Sequence, residues 1–209
     1  MGQMPKTINS EGQCREFQRL IYALFQGQPG AQTQSTCVAF TSALPGEGVS
    51  HVVREIGLQL AKHQNKRTLI VESRRLESLG RADLEFIEEA AQRAARNRLC
   101  VIDESGRKWR EGASSHWQSD PQFREHCLQA LSKFFNYILV DCSAISTSAT
   151  VVSLAPLVDG VVLVVEAGRS TRSQIHFAQN FLHSANAEFL GYVLNKRKYP
   201  VPEWLHARL

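Results

Sequence analysis

The sequence predicts an α/β fold: a single-domain, mostly parallel β-sheet flanked by helices on both faces. Two observations carry this. Short apolar runs alternate along the chain with stretches whose apolar residues recur at helical spacing. The runs are apolar nearly throughout, as in Thr68-Leu69-Ile70-Val71 and Val161 to Val165, so both of their faces are covered, as in a parallel sheet. A chain of 209 residues fills one core well and is short for two.

The elements follow in order. Phe17, Leu20, Ile21, Leu24 and Phe25 lie on one face of a helix over Glu16 to Phe25, which Gly27-Gln28-Pro29-Gly30 breaks. Cys37 to Thr41 is a buried strand, followed by the loop Ser42 to Gly48. Val52, Val53, Ile56 and Leu60 mark a helix ending near His63, where Lys62, Lys66 and Arg67 suit the helix dipole. Thr68 to Val71 is the next strand, completing a βαβ unit. A helix over Asp83 to Arg96, a strand over Leu99 to Ile102 and a long polar loop over Asp103 to Ser119 come next. Asp120-Pro121 reads as an N-cap and first helical residue, with Phe123, Cys127, Leu131 and Phe134 facing inward. Strands follow at Tyr137 to Val140, Val161 to Val165 and Phe189 to Leu194, with a helix carrying Ile175, Ala178, Leu182 and Ala185 between the last two. The chain divides into an N-terminal segment with its amphipathic helix (1–30), the α/β domain (31–196) and a C-terminal docking tail (197–209). The tail's Tyr199-Pro200-Val201-Pro202-Glu203-Trp204-Leu205 suits contact with a protein surface.

Composition excludes several function classes. A net charge of +4, spread along the chain, does not make a phosphate-neutralising face, so no nucleic-acid partner is expected; Arg169, Arg172, Lys196, Arg197 and Lys198 read as solvated loop charge. Five widely separated cysteines without a C-x-x-C argue against a disulfide framework or zinc site and for a reducing cytoplasm. The seven histidines lack ligand spacing. The first ten residues have no apolar core of a signal peptide, and Val151 to Ala167 is too short and interrupted to span a bilayer.

In an open α/β sheet the loop after the first strand is the first place to look for a ligand. Here it is Ala43-Leu44-Pro45-Gly46-Glu47-Gly48-Val49-Ser50. Against the phosphate-binding pattern G-x-x-x-x-G-K-[ST] it keeps the length, Gly48 and Ser50, but Val49 stands in the place of the lysine. A tight strand-to-helix turn and a weak nucleotide site both account for such a loop.

Several stretches in order resemble one family. Thr41 to Gly48, Glu16-x-x-Arg19 upstream, Tyr137-Ile138-Leu139-Val140-Asp141, Val158 to Val165, and Leu190 to Asn195 resemble the bacterial tyrosine kinases of capsule and exopolysaccharide synthesis, a branch of the MinD/ParA-like P-loop ATPases. The resemblance runs from about residue 16 to 196, with a weaker middle over residues 76–120. It implies a P-loop NTPase-like fold and nucleotide contacts at Gly46, Glu47, Gly48, Val49, Ser50, His51 and Asn195. It also implies magnesium at Ser50 and Asp141, a membrane-anchored polysaccharide co-polymerase or chain-length protein as partner, and homo-oligomers built through an E-x-x-R-x-x-R element. In that element Tyr22 replaces the second arginine, which leaves a plain packing helix as the other reading.

The departures set the functional expectation. The family's lysine neutralises the β- and γ-phosphates, and its D-x-D after the next strand manages magnesium and the acceptor hydroxyl. Here the positions read Val49 and Glu72-Ser73-Arg74. A lysine–phosphate bond contributes about 1.5–3 kcal/mol, against about 0.3–1 kcal/mol from a helix N-terminus. The glycine loop alone therefore cradles a phosphate weakly. Phosphoryl transfer rests on positioned positive charge and metal, so no catalytic residue is expected. The four tyrosines, Tyr22, Tyr137, Tyr192 and Tyr199, form no cluster of the kind that serves as phosphorylation target in the family. The expectation is a catalytically silent, cytoplasmic adaptor or regulator of exopolysaccharide export, held at the inner membrane through its partner, with ATP or ADP–Mg²⁺ bound weakly if at all. The alternative is an active kinase or ATPase using Ser50, Glu72, Arg74 and Asp141, with Arg74 or Arg75 as substitute cation.

Overall fold

A computed structural model describes residues 10–26, 35–63, 66–78, 89, 91, 92, 96–102, 117 and 119–197. Helix α1 (Ser10–Ile21) widens into a π-helical turn at Tyr22–Gln26. Strand β1 (Thr36–Ser42), helix α2 (Val49–His63) and strand β2 (Thr68–Glu72) form the first βαβ unit. A short helix α3 (Ser73–Glu77) follows at once, then β3 (Leu99–Ile102). Helix α4 (Pro121–Ser132), β4 (Tyr137–Asp141), a short α5 (Thr150–Leu154) with a 3₁₀ turn at Ala155–Leu157, β5 (Gly160–Glu166), α6 (Arg172–Ser184) and β6 (Phe189–Asn195) complete the order.

The six strands form one sheet in the order β3-β2-β4-β1-β5-β6, and every pair is parallel. From β1 the chain passes over the slot later taken by β4 to reach β2 and β3. It then returns to fill that slot, and crosses to the other side of β1 for β5 and β6. The strand order therefore reverses between β1 and β4, which opens a crevice above their carboxyl ends.

Near-continuous apolar strands bury both faces of the sheet. Ala39, Leu69, Val71, Ile138, Val140, Val161 and Leu163 pack on one side with Phe123, Cys127 and Leu131 of α4, Leu154 of α5, and Ala178 and Leu182 of α6. Val38, Phe40, Ile70, Leu139, Val162 and Val164 pack on the other with Val52, Val53, Ile56 and Leu60 of α2. Ile21, Leu24 and Phe25 join this second cluster, so the amphipathic helix shares the core of the α/β domain. Tyr22 is exposed, as helical spacing requires of the opposite face.

Local chemistry sets the helix ends. Asp120 caps α4 by accepting from the Phe123 amide at 3.1 Å, with Pro121 at the first helical position. Thr171 and Gln174 form a reciprocal capping box at the head of α6. Phe134, expected to lie on the α4 face, falls beyond its last turn and is half-buried. Helices α3 and α5 have no counterpart in the sequence reading, because five residues are too few to show a 3.6-residue period. Of the helix expected over Asp83 to Arg96, residues 89, 91 and 92 are helical, and Ala91 is buried against the core; the rest of it lies outside the described residues except Arg96, as do most of the loop over 103–119 and the tail from residue 198.

Candidate nucleotide-binding site

The loop between β1 and α2 turns on two glycines with left-handed backbone, Gly46 at φ +80° and Gly48 at φ +93°. A Cβ on Gly48 would lie 2.1 Å from Nδ2 of Asn195, so only glycine fits there.

Several of the loop's polar groups are held by the protein itself. Glu47 is completely buried. Its carboxylate accepts from the Leu44 amide at 2.8 Å, the Glu166 amide at 3.1 Å and the Ser170 hydroxyl. The Asn195 side-chain amide donates to Glu47 O at 2.8 Å, and Lys196 Nζ donates to Gly46 O at 2.7 Å. Ser42 Oγ donates to Leu44 O at 2.8 Å. With these carbonyls engaged, the amides that open α2 remain. The first four N–H groups of a helix have no acceptor inside it, and their dipoles favour an anion.

These amides border a cleft of about 410 Å³ lined from three strand ends. Gly46, Gly48, Val49 and Ser50 follow β1; Glu72, Ser73 and Arg74 follow β2; Asp141 to Ala144 and Thr147 follow β4. Asp141 pairs in register with Phe40 of β1 and Glu72 of β2, which sets it at the switch point. Burial pushes its carboxyl above the ordinary value of 3.8, while a hydrogen bond with the Ser50 side chain and the charge of Arg54 pull it back.

The wall beyond Asp141 is tied to α3. The Thr150 hydroxyl donates to the Glu77 carboxylate, and the Ser148 and Thr150 hydroxyls lie 2.6 Å apart. Helices α3 and α5, both unread in the sequence, thus brace the cleft. In the wall itself Cys142 is buried, and burial raises its thiol far above the ordinary range, so it is inert as a nucleophile.

The structure brings Gly46, Gly48, Val49, Ser50, Glu72, Arg74 and Asp141 together around one cleft, and it places three other expected contacts elsewhere. The Glu47 carboxylate turns inward as a scaffold. Asn195 spends its amide on Glu47 O and its Oδ1 on the Lys196 amide. His51 is exposed and does not line the cleft. Val49 is 8% exposed and belongs to the core cluster on the α2 face, so its side chain serves packing.

Arg169 and Lys196, expected as solvated loop charge, are both exposed, and both are also paired. Both converge on Glu166, at 3.1 and 3.0 Å, and Lys196 also holds the loop. Hydrogen bonds from Lys196 and then Arg169 hold the Glu166 carboxyl below its usual range. The 150 residues between Gly46 and Lys196 concealed the loop contact from the sequence.

For a nucleotide the site fits in two respects: a glycine loop and helix start that line the cleft, and space for phosphates. For magnesium, Ser50 and Asp141 are adjacent, and Mg²⁺ is ordinarily held by one or two such groups together with phosphate oxygens. Among the described residues no group of three or more His, Cys, Asp or Glu side chains could hold a metal alone.

The comparisons with known proteins agree with this geometry. The succinoglycan biosynthesis transport protein ExoP of Rhizobium meliloti is 28% identical over 184 residues, 79% of this chain and 23% of ExoP. The tyrosine-protein kinase CpsD of Streptococcus agalactiae is 33% identical over 69 residues, 33% of this chain and 30% of CpsD. The chain is thus similar to ExoP over most of its length and to the tyrosine kinase CpsD over a third of it. No family model matches it. The matched stretch spans about a quarter to a third of these curated relatives. In fold, the chain resembles the kinase domain of Escherichia coli ETK, with a TM-score of 0.68 and 13% identity over 96% of this chain and 86% of that one. It also resembles the cell division protein MinD of Aquifex aeolicus, with a TM-score of 0.55 and 17% identity over 83% and 72%. The all-parallel sheet is therefore a P-loop NTPase-like sheet of the MinD/ParA kind.

Proposed function

We propose that this protein is a catalytically silent homologue of the bacterial tyrosine kinases, keeps a weak phosphate-binding loop, and serves as an adaptor or regulator in exopolysaccharide biosynthesis. The observation that carries the reading is the pair of charge changes in the cleft: Val49 packed into the core where the family has lysine, and Arg74 at the end of β2 where it has an acid. Phosphoryl transfer involves little covalent chemistry for the protein, so its rate rests on positioned charge and metal around the transferring group. Losing one cation and reversing one acid removes much of that field. Binding is less demanding, and the glycine loop, Ser50 and Asp141 support it.

The partner in this reading is a membrane-anchored polysaccharide co-polymerase or chain-length protein. Its likeness to ExoP, a biosynthesis transport protein, supports this. No helix among the described residues is long and apolar enough to cross a membrane.

Incubation of the purified protein with γ-labelled ATP and Mg²⁺ tests the reading. The expected result is no label above that of an Asp141→Ala variant. Label or phosphate release that Asp141→Ala abolishes, with the variant still folded, would establish an active kinase or ATPase instead. Co-purification with a co-polymerase of the same export system tests the adaptor role, and no complex with it would refute that role.

A further inference from the structure

The cleft needs a cation that the loop does not provide. Its lining carries two carboxylates, Glu72 and Asp141, which repel a phosphate. Among the described residues that line it, Arg74 is the only cation. The structure also separates the two arginines that the sequence left equivalent. Arg74 is exposed and part of the cleft wall, whereas Arg75 is half-buried, is not in that wall, and has a buried Nε without a hydrogen-bond acceptor. Ser73 and Leu76, both buried, fix the backbone of α3 on either side of Arg74, so its exposed side chain starts from a rigid base at the cleft rim.

We propose that Arg74 supplies, from the wall opposite the glycine loop, the positive charge missing at Val49, so that the site takes a nucleoside diphosphate or triphosphate by its terminal phosphates. This rests on the nucleotide-binding reading above. A guanidinium is always charged and presents a planar fork that matches phosphate oxygens two at a time. Arg74 reaches the anion from one side while the α2 amides reach it from the other. Because it stands where the resemblance expects an acid, it also lowers the need for a metal. Phosphate charge that the family neutralises with lysine and magnesium is met here by a fixed cation.

Isothermal titration of the full chain with ADP, in EDTA and in MgCl₂, tests this with R74A and R74K. The wild type is expected to bind ADP in EDTA. R74A should weaken that binding about tenfold or more, as loss of a charge-assisted bond does. R74K, which keeps the charge but not the fork, should fall between them. AMP, which lacks the terminal phosphate, should lose less affinity than ADP on going to R74A. Because Arg74 is exposed, the melting temperature of the ligand-free variants should match the wild type. Binding of ADP by R74A within about twofold of wild type would overturn the role of Arg74 and leave the nucleotide site standing. No binding of ADP by the wild type in either buffer would overturn both.

Discussion

The two flanks of the glycine loop use the same kinds of side chain to opposite ends. On the flank of β5 and β6, Glu47, Glu166, Ser170, Asn195 and Lys196 spend their polar groups on one another and on loop carbonyls. On the flank of β2 and β4, Ser50, Glu72, Arg74 and Asp141 border an open cleft. The first flank fixes the shape of the loop, and the second offers what a ligand would meet. Val49 lies between them, packed into the core. The loop's shape is thus held by one set of polar groups while another set lines the cleft, so the two can change independently.

The largest effect is expected at Glu47, the centre of the scaffold flank. Glu47→Ala strands the Leu44 amide, the Glu166 amide and the Ser170 hydroxyl, and is expected to cost about 2–4 kcal/mol in urea denaturation while abolishing any nucleotide binding. Retention of full stability would show that the scaffold lies elsewhere. Gly48→Ala comes next. It forces an L side chain to φ +93° and drives Asn195 from Glu47 O. The expected cost is about 2 kcal/mol, measured the same way, from the left-handed backbone and the lost hydrogen bond together.

On the cleft flank the sign reverses. Burial raises the folded pKa of Asp141 above its unfolded value, so the native state holds the proton to higher pH. Stability therefore declines as pH rises from about 3.8 through the raised value, and the full cost persists at neutral pH. Asp141→Asn should leave the protein equally or more stable at pH 7 and flatten that part of the pH profile, while weakening Mg²⁺-assisted ATP binding. A clear loss of stability at pH 7 would place Asp141 with the scaffold. The smallest effect is expected at Lys196→Met, which removes an exposed ion pair and one loop contact. Because Glu166 is held below its usual pKa, the stability this pairing adds is present above the unfolded value of 4.5 and fades as pH falls through the lower folded value. Melting curves of the variant and wild type should therefore converge in acid and in high salt.

Much of this was legible in the chain. The strands were readable because their apolar runs are continuous, and Asp120-Pro121 announced a helix start by its own cap chemistry. The glycine loop and Ser50 were readable because the phosphate pattern is local. The short helices α3 and α5 were not, since one turn carries no period, yet Glu77 and Thr150 on them brace the cleft. Glu47 was read as a nucleotide contact because a motif gives position and not direction. That its side chain points inward depends on Glu166 and Ser170, more than a hundred residues away.

The sequence by itself determined the alternation of strands and helices, the loop after β1, and the absence of a lysine from that loop, because each is written within a few neighbouring residues. Only the tertiary structure decided which charges surround it. Sheet order set β4 beside β1 and carried the end of β6 back to the loop, so Arg74 and Asp141 face the cleft while Lys196 and Asn195 are consumed behind it. Local periodicity specifies elements; the order in which strands pair specifies which distant polar groups meet and which line the cleft.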